Sequence, residues 1–111
     1  MTRFWRAALA VSSLAQLYIL YTPSSGPQPP FRYADKLVHL LIFAVVAYTG
    51  RKARVPVGGL AVVLVLNAVV SELVQHQWLD ARSGDPYDTL ADLAGVLAGL
   101  FLAGGRLPRT T

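Results

Sequence analysis

The chain has 111 residues, 54% of them hydrophobic and only 14% charged, with a net charge of +4 and no cysteine. A water-soluble domain carries roughly 25% charged residues, so this composition, with a mean hydropathy of +0.46, points to lipid as the main solvent. The missing cysteine excludes a disulfide framework, thiolate catalysis and a cysteine-ligated metal. The positive balance does not indicate nucleic acid, because the basic residues flank apolar runs instead of lining one amphipathic face.

The length sets a limit of one domain, residues 1–111, and the apolar runs predict four helices within it. The first covers about 5–21, preceded by Arg3 and Arg6 and closed by Tyr18 and Tyr21, whose rings favour a lipid–water boundary. A secretory signal cut after Ala15 is a rival reading, but another apolar segment follows instead of a soluble mature domain. Residues 22–30, TPSSGPQPP, hold four prolines and a glycine and break the helix. The second helix, about 34–50, has a short uncharged core from Leu37 to Gly50, which covers about 21 Å of a hydrocarbon layer about 30 Å thick. Lys36 and Arg51 can snorkel outward at its two ends.

Arg51, Lys52 and Arg54 form a basic turn, and Pro56 suits the first turn of a third helix over about 56–77. That helix carries Asn67 midway and Glu72 and Gln75 near its end, with Trp78 as a boundary anchor. Asp85 and Pro86 then open the fourth helix, about 86–105: the carboxylate caps free amides, and proline at the first position loses no hydrogen bond. Seven basic residues (Arg3, Arg6, Arg51, Lys52, Arg54, Arg106, Arg109) fall on one side of such a bundle and three (Arg32, Lys36, Arg82) on the other. The positive-inside rule then puts both termini in the cytoplasm. The acidic residues Asp35, Glu72, Asp80, Asp85, Asp88 and Asp92 gather toward the outer side. The expected fold is an all-α, four-helix integral membrane bundle, with its polar residues facing outward.

Residues four apart share a helix face, which pairs Asp35 with His39, Glu72 with His76, and Asp88 with Asp92. Asp88, Asp92, Gly95 and Gly99 make one stripe: carboxylates at the outer end, then glycines that allow close helix packing. This predicts that the fourth helix is central, with the second and third packed on it. Ionisable groups beside hydrocarbon are costly and mark functional sites. The candidates for proton chemistry are His39, Glu72, Asp88 and Asp92, since one histidine among carboxylates supplies an acid–base pair. Lys36, Arg82 and Gln75 are candidates for holding a head group, Arg82 with a fork that matches a phosphate. No cofactor is expected. A hard divalent cation on the carboxylates is an open alternative, although no spacing matches a metal motif. The bland alternative is polar glue between helices, the expected role of Asn67, with His76 and Asp80 as solvated boundary residues.

The same residues resemble the VanZ-like family of small bacterial membrane proteins. The family pattern, Asp-Lys-x-x-His opening one helix, Glu-x-x-Gln ending the next, then an Arg and six residues later an Asp opening the last helix, is matched by Asp35-Lys36-Leu37-Val38-His39, Glu72-Leu73-Val74-Gln75, Arg82 and Asp88. Asp92 stands where the family usually has asparagine and Asp85 where a serine is common; Gly95 keeps its place. The resemblance covers roughly 33–99 and implies a role at the cell envelope, with the family name linked to teicoplanin resistance. The expected function is binding or modifying an outer-leaflet component, such as a lipid-linked cell-wall precursor, and thereby lowering sensitivity to lipoglycopeptides. The alternatives are a membrane hydrolase or transferase acting on a lipid head group, and a partner-binding helical protein without chemistry. Against the enzyme, Ser71 and Ser83 stand in no catalytic motif.

Overall fold

The computed structural model describes residues 2–21, 34–77 and 86–104, with the side chains of residues 34, 35, 76 and 86 excepted. Four α-helices make up these residues: α1 Thr2–Tyr21, α2 Ala34–Lys52, α3 Val57–Gln77 and α4 Pro86–Gly104. Each end lies within three residues of its expected position. The expected boundary residues Trp78, Asp80 and Asp85 lie outside the described residues.

Contacts between named residues give the helix directions. Ser12 of α1 meets Thr49 of α2, while Leu20 and Tyr21 at the end of α1 meet Gln75 and Asn67 of α3. Asp88 and Asp92 meet Lys36 and His39 at the start of α2. The helices therefore run up, down, up and down. The start of α1 and the end of α4 share one end of the bundle with the turn between α2 and α3.

The expected packing of α2 and α3 on α4 is found, but the central position belongs to α2. The closest pairing is α2 with α4, but α2 also packs on α1 and α3, whereas α4 packs on α2 and α3. The cause is the run of small residues on α2. Added to Gly95, a Cβ would fall on the backbone carbonyl of Leu40, and at Gly99 on that of Ala44. Ala47 Cβ would stand 2.8 Å from the new atom at Gly99. Helix backbones approach this closely where small residues line the crossing. Phe43, Val46 and Ala47 of α2 join Leu20, Leu60, Leu64, Ala68, Val96 and Leu100 in the core. A helix so enclosed does not need to be apolar all round, which explains why the α2 sequence looked like the poorest span.

The turn after α2 is a Schellman cap. Val55 N–H donates to the Gly50 carbonyl and Arg54 N–H to that of Arg51, each at 3.0 Å. This is the paired 6→1 and 5→2 pattern of a helix end that closes through a left-handed residue. The left-handed residue is Arg54, with φ 69°. Arg51 and Lys52 thus belong to the last turn of α2 and extend it past Gly50 to 19 residues, about 28 Å at 1.5 Å per residue. Pro56 lies just outside α3 and accepts the first helical bond, from Leu60 N–H at 3.0 Å.

Polar and apolar residues have traded places relative to a soluble bundle. His39, Gln75, Asp88, Asp92, Gln16 and Ser71 are buried, while Val62, Val63, Leu66, Leu97, Phe101 and Leu102 are exposed. Two of the four helices, α3 over Val57–Gln75 and α4 over Tyr87–Gly104, are long and apolar enough to cross a membrane.

Candidate functional site

The site lies where α2 and α4 begin side by side. One turn into α2, Lys36 and His39 point at α4; there Asp88 and Asp92, four residues apart, present both carboxylates to α2. Lys36 Nζ stands 3.1 Å from Asp88 Oδ1. The His39 ring is held between the two carboxylates, with Nδ1 2.7 Å from Asp92 Oδ1 and Nε2 3.8 Å from Asp88 Oδ2. The short contact is a hydrogen bond in which Nδ1–H donates to the Asp92 carboxylate; the longer one is beyond hydrogen-bond length. The result is a row, Lys36–Asp88–His39–Asp92, that runs from a partly exposed ammonium inward. Lys36 keeps 28% of its side-chain surface, while His39 and Asp92 keep 2% and 1%.

This geometry has definite chemical capacity. With Nδ1–H committed to Asp92, the imidazole orientation is set by a carboxylate, the arrangement that fixes which ring nitrogen faces a reacting group. Nε2 then lies on the Asp88 side, toward the exposed end of the row. One Lys, one His and two Asp sum to zero charge when His39 carries both ring protons, and to −1 when it carries one. The row can therefore take up or release one proton without gathering more than a single net charge.

Gly95 lies three residues beyond Asp92, so the close α2–α4 approach that it permits also brings His39 onto the carboxylates. Of the remaining expected site residues, Gln75 is placed elsewhere: its buried amide donates from Nε2 to the Leu20 carbonyl at 2.8 Å, tying α3 to α1. Glu72 is half-buried and does not join the row. It lines a cleft of about 600 Å³ between α3 and α4 with Val69, Tyr87, Thr89 and Leu90. Among the described residues Glu72 has no hydrogen-bond or ion-pair partner. The expected grouping of His39, Glu72, Asp88 and Asp92 thus separates into a row on one side of α4 and a lone carboxylate on the other. Arg82 and the side chains of Asp35 and His76 lie outside the described residues. Among the described residues, no group of three or more His, Cys, Asp or Glu is arranged to hold a metal ion. Ser71, the one serine near this end of α3, turns its hydroxyl back to the Ala68 carbonyl of its own helix at 3.2 Å.

The sequence reading missed the polar face of α1. Tyr21 O–H donates to Asn67 Oδ1, and Asn67 Nδ2 donates to Gln16 Oε1, both at 2.8 Å. One turn further along α1, the Ser12 and Thr49 hydroxyls lie 3.2 Å apart. Asn67 has the interhelical role expected of it. The signal for its partners was present in the spacing of Ser12 and Gln16, two polar residues four apart in a mostly apolar run, which marks one face.

Compared with known proteins, the chain matches no family model, no curated protein and no solved structure.

Proposed function

We propose that the chain is a four-span membrane protein of the bacterial cytoplasmic membrane, N-in and C-in, in which Lys36, at the exposed end of the row with Asp88, His39 and Asp92, and the sequence candidate Arg82 together bind the anionic head group of a lipid-linked envelope component. The membrane reading rests on the exposure of large apolar side chains along α1, α3 and α4 around a partly polar interior. Aromatic belts support it. Phe4, Trp5 and Tyr48 cluster at the basic end, with ring centroids 5.0 and 5.8 Å apart and Lys52 Nζ 5.5 Å from the Tyr48 ring. Tyr18 and Tyr87 stand exposed at the other end. Rings at both boundaries suit a spanning bundle.

The observation that carries the head-group reading is the His39 ring between two buried carboxylates, with Lys36 at the exposed end of the row. Lys36 supplies the charge that meets a phosphate, and His39 supplies a proton acceptor or donor behind it. The likeness of Lys36, His39, Glu72, Gln75, Asp88 and Gly95 to the VanZ-like pattern supports an envelope role, including lowered sensitivity to lipoglycopeptides such as teicoplanin. A hydrolase or transferase built on the same row would use His39 to activate water or an acceptor hydroxyl.

A second reading has its own observation. Lys36 is paired with Asp88 and His39 with Asp92, so the row also works as a clamp between α2 and α4. Lys36→Gln and His39→Gln, expressed with the parent at equal membrane levels, separate the two. Loss of the envelope phenotype with retained fold supports head-group binding. Full activity of both variants leaves only the clamp.

A further inference from the structure

On the side of the bundle away from the row, a groove of about 600 Å³ lies between α1 and α3. Its walls are mostly apolar, with Leu9, Leu17, Val46, Leu60 and Leu64 among them, and Ser13, Gln16 and Asn67 are its polar lining residues. Gln16 is only 3% exposed, and its Nε2 has no hydrogen-bond acceptor. The Tyr21–Asn67–Gln16 chain runs donor to acceptor toward Gln16 and stops at Oε1, so an amide donor is left over. An unmet N–H in a bilayer costs several kcal/mol, and no hydrogen bond from α1, α2 or α3 meets this one.

We propose that this groove holds one acyl chain of a diester glycerolipid from the leaflet at the α1 C-terminal end, with its ester carbonyl accepting from Gln16 Nε2. Depth selects that leaflet. Gln16 lies five residues before the end of α1 and fourteen after its start, about 7 Å and 21 Å at 1.5 Å per residue. An ester carbonyl entering from the nearer end has about 7 Å to descend to Gln16, against about 21 Å from the other, and its chain then runs on down the groove. From Gln16 to Leu9 the wall extends about 10 Å, and from Asn67 to Gly59 about 12 Å, close to the half-thickness of about 15 Å of a bilayer core. The inference rests on the membrane reading but not on head-group binding.

The probe is an equimolar mixture of diester and diether phosphatidylglycerol of equal chain length, which differ only in the carbonyls. The full chain is reconstituted into vesicles of this mixture, checked by flotation, extracted gently and weighed with its retained lipid by native mass spectrometry. The expected result is about fivefold enrichment of diester over diether, the worth of one hydrogen bond. Gln16→Met is expected to equalise the two lipids. Because that change also removes the acceptor of Asn67, a second variant leaves the polar chain intact: a Cβ at Gly59, which lines the groove, meets nothing within 4 Å. Gly59→Phe fills the space and is expected to shed the retained lipid. Equal retention of ester and ether by the parent overturns the proposal, whether water or a reversed Gln16 amide is the reason. Failure of the chain to float with vesicles instead sinks the membrane reading beneath it.

Discussion

A carboxylate at position 92 changes the charge sum of the row, and its effect on stability follows from how deeply it is buried. Asp92 is 1% exposed and has His39 Nδ1 at 2.7 Å. Removing one member of such a pair takes a close partner from the other, at a cost of up to about 3–5 kcal/mol, whereas replacing both by apolar residues is nearly neutral. His39→Leu is therefore expected to lower the unfolding free energy in detergent by about that amount. The double variant His39→Leu with Asp92→Leu should regain most of it, even as it loses any function of the row. Equal stability of the single and double variants would mean that Asp92 is not paired through His39. Gln75 gives a smaller test. Gln75→Leu removes the bond to the Leu20 carbonyl, and the expected loss is about 1 kcal/mol, with no effect on a site from which its amide is turned away.

At the scale of elements, the helix ends and the close crossing make opposite predictions for glycine. Arg54 occupies a left-handed backbone position at φ 69°, where a side chain costs roughly 1–2 kcal/mol relative to glycine. Arg54→Gly should raise the thermal midpoint, although it removes one charge from the basic end. At Gly95 a methyl group would meet the backbone at Leu40, which cannot yield as a side chain would. Gly95→Ala should lower folded yield sharply, whereas Gly58→Ala, with nothing within 4 Å of the new carbon, should gain up to about 1 kcal/mol of helix propensity. Comparable yields of the Gly95 and Gly58 variants would contradict the close α2–α4 crossing. The helices themselves were legible in the sequence because prolines, glycines and charges punctuate the apolar runs. The i,i+4 rule likewise placed Asp88 and Asp92 on one face, with Gly95 and Gly99 continuing it. Helix partners were less legible. The central place of α2 depends on how Ala44 and Ala47 meet Gly95 and Gly99, and that meeting is a match between two helices that neither run displays alone. The separation of Glu72 from the row had the same origin: depth can be read along a chain, but the side of α4 that a neighbour occupies cannot.

At the scale of the whole molecule, the two ends of the bundle differ in charge. Arg3, Arg6, Arg51, Lys52 and Arg54 belong to α1, α2 and the turn that share one end, while Glu72, Asp88 and Asp92 lie toward the other. Lys36 is the one basic side chain at that acidic end among the described residues. Under the proposed four-span reading, lysine and arginine near helix ends are retained on the cytoplasmic side, and the basic end would face inward. Both termini would then lie inside and the α3–α4 connection outside. Single cysteines can be introduced at Thr2, Ser83 and Thr110 without competition, because the chain has no cysteine of its own. In intact cells a membrane-impermeant thiol reagent should label the Ser83→Cys variant and spare the other two. After the membrane is opened, all three should react. Labelling of Thr110→Cys but not Ser83→Cys in intact cells would reverse the bundle, and Lys36, His39, Asp88 and Asp92 would then face cytoplasmic ligands instead of envelope lipids.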